Sequence, residues 1–283
     1  MKKIWTLLVA AITVLAVLTS GCGSSDKAAK PADGKKTTTI GFSISTLNNP
    51  FFVSVRKGVE EEAKKLGVNV KIVDAQNDPA KQANDISDLI QQKVDVLLIN
   101  PVDSAAVSTS VAAANKASIP VLALDRSADK GTVASFIASD NVKGGEMAAE
   151  YIIQKLGEKV KVADQKLTVV AKQSADFDRS KGLTVAENML QANPDIQAIF
   201  AQNDEMALGA IEAAKSANKK IFIVGFDGTQ DGLKAVEAGT MAATIAQQPE
   251  LMGQQGLDAA VKVAKGEKVE AKIGVPLKLV DKK

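Results

Sequence analysis

Four short stretches concentrate the side chains able to recognise or transform a small molecule: STLNNPFF at 45–52, ALDRS at 123–127, FAQND at 200–204 and GFDGT at 225–229. They offer Asn49, Phe51, Phe52, Asp125, Arg126, Asn203, Phe226 and Asp227, to which ADFDR adds Phe177. Aromatic residues make up only 4% of the chain, so rings at such places are conspicuous. Rings interleaved with acids, amides and an arginine suit a polyol. A sugar's C–H face lies flat on a ring, while each hydroxyl wants a carboxylate or amide oxygen on one side and an N–H on the other.

Other chemistries find little support. The 283 residues contain no histidine and one cysteine, Cys22, which removes Ser-His and Cys-His nucleophile pairs and the usual zinc sets. A sugar-processing enzyme using Asp125 or Asp227 as base is disfavoured, because no metal set or cofactor motif accompanies them. Neither G-x-G-x-x-G nor G-x-x-x-x-G-K-[ST] occurs, and GFDGTQDG has the wrong spacing for a phosphate loop. With 35 basic and 33 acidic residues, bulk charge attracts neither nucleic acid nor an anionic membrane. No cofactor or metal is expected.

The elements that must position these groups read clearly. Residues 1–22, MKKIWTLLVAAITVLAVLTSGC, have two lysines, an apolar run too short to span a bilayer, then small residues up to Cys22. They are a secretory signal, and LTSGC resembles the lipobox of bacterial lipoproteins, although Thr19 stands where leucine is commoner. Lipidation at Cys22 is expected, and residues 23–37, small and polar, read as a flexible tether. From residue 38, nine runs read as strands: 38–45, 68–74, 94–100, 119–125, 133–138, 167–173 (LTVVAKQ), 196–203, 221–227 and 242–248. Amphipathic segments separate most of them. This alternation predicts an α/β fold, parallel sheets flanked by helices. In the first helix Asn49 is the expected N-cap, Pro50 the first helical residue and Gly67 the C-terminal stop, with Val55, Val59, Ala63 and Leu66 as the buried stripe. The chemistry-bearing stretches then fall at strand carboxyl ends, where open α/β sheets bind ligands.

Each group also has an ordinary structural reading. Phe51 and Phe52 can be a hydrophobic staple at a helix start, Asp125 and Arg126 a surface ion pair, Asn203 and Asp227 helix caps.

Taken together, STLNNPFF, LLINPVDS, LDRSA, ASDNVKGGEMAA, ADFDRSKGL, FAQNDEMALGA, IVGFDGT and ATIAQQPE resemble the ribose-binding proteins of ABC sugar importers, from about residue 38 to the C-terminus. The resemblance implies a periplasmic-binding-protein type I architecture, two doubly wound lobes closing on a sugar. Residues 38–139 plus 249–275 would form the N-terminal lobe, and 140–248 plus 276–283 the C-terminal one. Crossings would fall near 139–141, 247–248 and 275–276. Carried over by motif, the sugar contacts would be Ser45, Asn49, Phe51, Phe52, Asp125, Arg126, Asn141, Phe177, Asn203, Asp227 and Gln247. Ser45, Asn141 and Gln247 rest on the resemblance alone. Implied partners are ribose or a similar pentose, an ABC permease with its ATPase, and a chemoreceptor. The protein would be a monomer held to the membrane only by the lipid, and its alternative role is that of a non-transport or binding-defective paralogue. One departure stands out. Between GEMAAEYIIQKLG and ADFDRSKGL the family has a strand, a loop with a sugar-reaching arginine and a helix, whereas here EKVKVADQKLTVVAKQS runs straight through, shorter by roughly twenty residues, about a strand end and most of a helix of one βα unit.

Overall fold

The computed structural model describes residues 37–157 and 167–282. The leader, Cys22, the tether up to residue 36 and the stretch 158–166 lie outside the described residues.

The elements run β1 (Thr39–Ile44), α1 (Pro50–Leu66), β2 (Asn69–Asp74), α2 (Pro79–Gln91), β3 (Val96–Ile99), α3 (Ser108–Lys116), β4 (Val121–Leu124), β5 (Ser135–Ser139), α4 (Asn141–Gly157), α5 (Arg179–Ala192), β6 (Ala198–Phe200), α6 (Asp204–Ser216), β7 (Phe222–Asp227), α7 (Gln230–Ala238), β8 (Ala243–Ala246), α8 (Pro249–Ala264), β9 (Lys272–Val275) and β10 (Lys278–Asp281). They build two sheets. One has six parallel strands in the order β2-β1-β3-β4-β5-β9; the other has four, β10-β8-β7-β6, with β10 antiparallel at its edge. The chain passes between them three times, from β5 into α4, from β8 into α8, and from β9 to β10.

Strand sequences explain the layering. Successive side chains of a strand point to opposite faces. In β3, Val96 and Leu98 join the core under α1 and α8, while Leu97 and Ile99 join the core under α2 and α3. In β7, Ile223 packs toward α5, α6 and α7, and Val224 and Phe226 pack toward α4. Helices cover both faces of both sheets, so central strands must be apolar throughout.

The α1 and α8 pairing depends on glycine. A Cβ at Gly253 would stand 2.1 Å from the Val55 carbonyl oxygen, and one at Gly58 would stand 2.0 Å from that of Glu250. The two helices therefore touch backbone to backbone, which leaves no space for a side chain.

Helix α1 begins as expected: Asn49 Oδ1 accepts from the Phe51 N–H at 2.9 Å and Pro50 opens the helix. Gly67 ends it in the left-handed conformation, φ 66°. Leu66 is a correction to the expected stripe: only Val55, Val59 and Ala63 are buried, because the last turn runs past the sheet into solvent.

A second correction concerns LTVVAKQ. Residues 167–173 belong to no strand, and Leu167, Val169 and Val170 are exposed. An extended segment becomes a strand only by exchanging hydrogen bonds with a neighbour. β6 is the last strand on that side of its sheet. A cavity of about 1180 Å³ lies between it and the segment, bordered by Val169, Val170, Ile199, Met189 and Leu156. Composition favours a strand here, but among the described residues no partner lies alongside. Conversely, β9 and β10 were not among the runs read as strands; they carry lysines and a proline-broken connection and owe their extended state to pairing with β5 and β8.

Candidate functional site

In both sheets the parallel strands present their carboxyl ends to the crossings. Ser45 follows β1, Asp125 follows β4, Asp227 ends β7 and Gln247 follows β8. The chain itself ties the two sides together there. The Gln247 carbonyl oxygen accepts from Ser139 Oγ at 3.5 Å, and Gln248 Nε2 donates to the Pro276 carbonyl oxygen at 2.8 Å.

Several of these residues adopt backbone conformations that ordinary side chains avoid. Asp125 has φ 62°, Asp227 φ 116°, Phe177 φ 57° and Gln248 φ 56°. Such strain costs on the order of 1 kcal/mol or more for each residue and persists only where the surroundings over-determine it. At Asp125 the surroundings include the Asp125 N–H bonded to the Ile137 carbonyl at 2.8 Å and a side-chain hydrogen bond with Asn100.

The carboxyls influence one another. Burial, more than any other effect, raises Asp227 well above the ordinary carboxylate range, and the charges of Asp204 and Asp125 push the same way, while the hydrogen bond from Gln247 opposes them. That bond, Gln247 Nε2 to Asp227 Oδ1, is 2.8 Å long. Asp125, in the loop after β4 of the six-stranded sheet, acts by its charge on Asp227, which ends β7 of the four-stranded one. Asp125 itself is raised to about 6, mainly by desolvation, with Arg126 and Asn100 pulling it down.

The surface ion pair of the sequence reading is not what forms. Arg126 makes no ion pair among the described residues; its Nη1 donates to the carbonyl oxygen of Pro101 at 2.9 Å and to that of Val102. This anchors the guanidinium on the loop after β3.

Among the described residues, four buried side-chain atoms lack a hydrogen-bond partner, and two of these, Ser45 Oγ and Gln247 Oε1, belong to expected contact residues. A buried polar atom without a partner costs about 1–3 kcal/mol. Ser45 is held from behind, its N–H donating to Asn100 Oδ1 at 3.1 Å, so its hydroxyl is left over. Gln247 spends its amide N–H on Asp227 and leaves its oxygen over. One free group follows a strand of each sheet.

The remaining expected residues divide. Asn203 is the N-cap of α6, its Oδ1 accepting from Met206 N–H at 2.8 Å, and its Nδ2 donates to the Phe177 carbonyl at 3.1 Å, which fixes the ring-bearing loop. Asp227 is no cap, since Thr229 caps α7. Phe51 is 3% exposed and packs in the core under α1 and α8, with Phe52 edge-on to it at 5.2 Å between centroids. Phe226 lies inside β7 rather than in a loop, its ring against Phe200 and the backbone of Gly144. Phe177 is exposed and Asn141, the first residue of α4, is exposed too.

Sequence reasoning missed the supports. Asn100 accepts from Ser45 N–H and donates to the Leu124 carbonyl, and Gln82 bridges Ser43 Oγ, the Asn100 carbonyl and the Val102 N–H. Their only signal was a polar residue directly after an apolar run, or on the inner face of an amphipathic helix. No group of acidic residues or cysteine among the described residues is arranged to hold a metal ion.

Sequence and fold are similar to those of known proteins. The model of the family described as periplasmic binding protein domain matches residues 40–166 and 161–268. The ribose import binding protein of Bacillus subtilis (strain 168) is 55% identical over 90% of this chain and 92% of its own length. That of Escherichia coli (strain K12) is 48% identical over 100% and 99%. Among solved structures, an ABC transporter solute binding protein from Mycobacterium smegmatis with bound glycerol superposes with TM-score 0.81 at 33% identity, covering 87% of this chain and 94% of that one. One from Actinobacillus succinogenes with bound D-allose gives 0.80 at 28%, covering 87% and 98%. With two sheets joined by three crossings and relatives this similar across nearly the whole chain, the protein belongs to the periplasmic binding protein family, alongside the ribose import binding proteins.

Proposed function

We propose that this protein is the extracytoplasmic receptor of an ABC sugar importer, trapping ribose or a closely similar pentose and delivering it to the permease and its ATPase. The observation that supports this reading is the pair of unpartnered buried groups, Ser45 Oγ after β1 of the six-stranded sheet and Gln247 Oε1 after β8 of the four-stranded one. Each can bond a sugar hydroxyl. The relatives support the same ligand class, since the B. subtilis and E. coli proteins are named for ribose and a 37% identical E. coli protein for D-allose.

Closure is the mechanism. Sugar hydroxyls bonded from both sides favour the shut state over the open one, and the ligand shifts the population by its difference in affinity for the two. Asn49, Phe51, Phe52, Arg126, Asn141, Phe177 and Asn203 complete the contact set, with the exposed Phe177 ring closing over the sugar opposite Phe52. Asn49 and Asn203 have an oxygen committed to capping, so they contribute N–H groups. The protein is a binding protein and performs no covalent step. Lipidation at Cys22 anchors it to the outer face of the cell membrane, and it works there as a monomer, with a chemoreceptor as a further partner. Intact-mass measurement of membrane-extracted protein detects the diacylglyceryl adduct.

Calorimetry with a pentose panel tests the binding claim. Saturable heat with D-ribose is the expected result, and no heat with any sugar at millimolar concentration overturns it.

One observation favours a second reading, a binding-defective or sensory paralogue. The cavity beside β6 and the unpaired segment 167–173 fit a second lobe shortened by part of a βα unit, and the alignment with the E. coli relative spans 306 positions against 283 residues here. No residue of this chain inherits the role of the arginine carried by that unit. The loss of one charged donor weakens binding by about 1.5–3 kcal/mol, roughly ten- to a hundredfold. A micromolar or tighter Kd decides for transport.

A further inference from the structure

Behind Asn203 lies an acid that no contact with sugar explains. Asp204 is fully buried, and it makes no ion pair among the described residues. Its Oδ2 accepts from the Thr229 N–H at 2.7 Å and from Thr229 Oγ1 at 2.9 Å, and its Oδ1 accepts from Thr244 Oγ1 at 2.7 Å. Thr244 Oγ1 in turn accepts from the Gly228 N–H at 3.3 Å, and Thr229 Oγ1 from the Gly232 N–H at 3.2 Å. Two glycines clear the space it fills: a Cβ at Gly225 would stand 2.4 Å from Oδ1, and one at Gly232 2.2 Å from Oδ2. A carboxylate buried without a cation is costly, and an apolar residue would serve packing better.

What the carboxylate does is join three separate segments. Asn203 is its chain neighbour at the start of α6. Thr229 and Gly228 follow Asp227 at the end of β7, and Thr244 lies on β8 three residues before Gln247. Three of the contact residues expected on the four-stranded side, Asn203, Asp227 and Gln247, therefore sit on segments that hang from one buried group.

We propose that Asp204 is a positioning residue for sugar binding, fixing Asn203, Asp227 and Gln247 relative to one another through its hydrogen bonds to Thr229 and Thr244. The proposal rests on the sugar-binding reading above and adds a role for residues that do not touch the ligand. Asparagine is nearly isosteric with aspartate but has only one acceptor oxygen. In Asp204→Asn the Thr229 N–H, which can only donate, claims that oxygen, and the amide nitrogen is turned on Thr244 Oγ1. The arm to β8 is then reversed while the volume is kept.

The test is D-ribose calorimetry at 25 °C on folded full-length variants, with thermal unfolding measured in parallel. The wild type binds. Asp204→Asn and Thr244→Val each raise Kd by about tenfold, and because they break one arm the double variant is about as weak as Asp204→Asn alone. Thr244→Ser, which restores the hydroxyl, binds within about twofold of wild type. A residue that only stabilised the fold would lower the melting temperature and leave the Kd of folded protein unchanged; that result for Asp204→Asn overturns the proposal. Should Asp204→Asn not fold, the Thr244 pair decides: equal affinities for the valine and serine variants overturn it. If the wild type binds no sugar, the reading above falls and this proposal with it, whereas wild-type binding that Asp204→Asn matches refutes the proposal alone.

Discussion

Stability of the ligand-free protein should fall as pH rises from about 5 to about 7.5, opposite to the usual behaviour of carboxylates paired in a native state. The chain has no histidine, so no imidazole titrates in this window. The groups that do are buried acids. Asp204 is raised from 3.8 to about 6, chiefly by burial and against the hydrogen bonds of Thr244 and Thr229. Asp125 is also raised to about 6, and Asp227 is raised as well. The sign follows from where the proton sits. Between the unfolded value, 3.8, and the folded value, about 6, each group is protonated in the folded chain and ionised in the unfolded one. The folded state holds more protons, and stability therefore declines with rising pH until both states are ionised, near pH 7. A group shifted this far contributes on the order of 1 kcal/mol of that decline between about pH 5 and about pH 7.5. Asp125 keeps part of its surface accessible and water screens it, so its share is smaller. The expected total is about 2 kcal/mol, and Asp227 adds to it. The acids whose values are lowered, Asp176 and Asp231, are exposed ion-pair members that titrate below this window. Urea unfolding of sugar-free protein at three pH values measures the effect as a shift in midpoint at constant slope. A midpoint that rises from the acid to the neutral end would refute the reasoning, because the acids would then be stabilised as anions. Asp204→Asn should flatten the profile by about half.

Four further outcomes are expected. Gln247→Ala removes both the unpartnered acceptor and the donor to Asp227, so D-ribose affinity measured by calorimetry should fall by roughly ten- to a hundredfold. Gly253→Ala drives a methyl group into the Val55 carbonyl oxygen, 2.1 Å away, and should lower the unfolding free energy in urea by about 1–3 kcal/mol or more. Val169→Ser, at a residue 79% exposed, should change stability by less than about 0.5 kcal/mol; a larger loss would show that the segment packs as a strand after all. In hydrogen exchange, amides of β6, a short edge strand of partly buried residues, should exchange well before those of β3 and β4, which are buried along their whole length.

Local rules carried the sequence reading a long way. Runs rich in Val, Ile and Ala, alternating with amphipathic segments, marked eight of the nine expected strands; the central ones are apolar because they are covered on both faces. Asn49, Pro50 and Gly67 marked both ends of α1 because capping is settled within a few residues of chain. Absence was informative too: a chain without histidine has no Ser-His or Cys-His nucleophile pair. The resemblance of whole motifs then named residues such as Ser45 and Gln247, which no local property distinguishes.

Partners distant in the chain were decided by the tertiary structure alone. LTVVAKQ has the composition of a strand and is not one, since pairing is a property of two segments. Phe226 looks like a loop aromatic and is core, because β7 runs through to Asp227. Asp125 and Arg126 look like an exposed pair; instead the arginine is bound to backbone carbonyls and the half-buried acid is bonded to Asn100, and desolvation, the main cause of its raised pKa, has no signature in sequence. Asp204 reads as one more charged residue in a helix's first turn. Only the packing of Gly225, Thr229, Gly232 and Thr244 around it turns it into a brace, since hydrogen bonds between residues 25 and 40 positions apart form only where the fold brings them together.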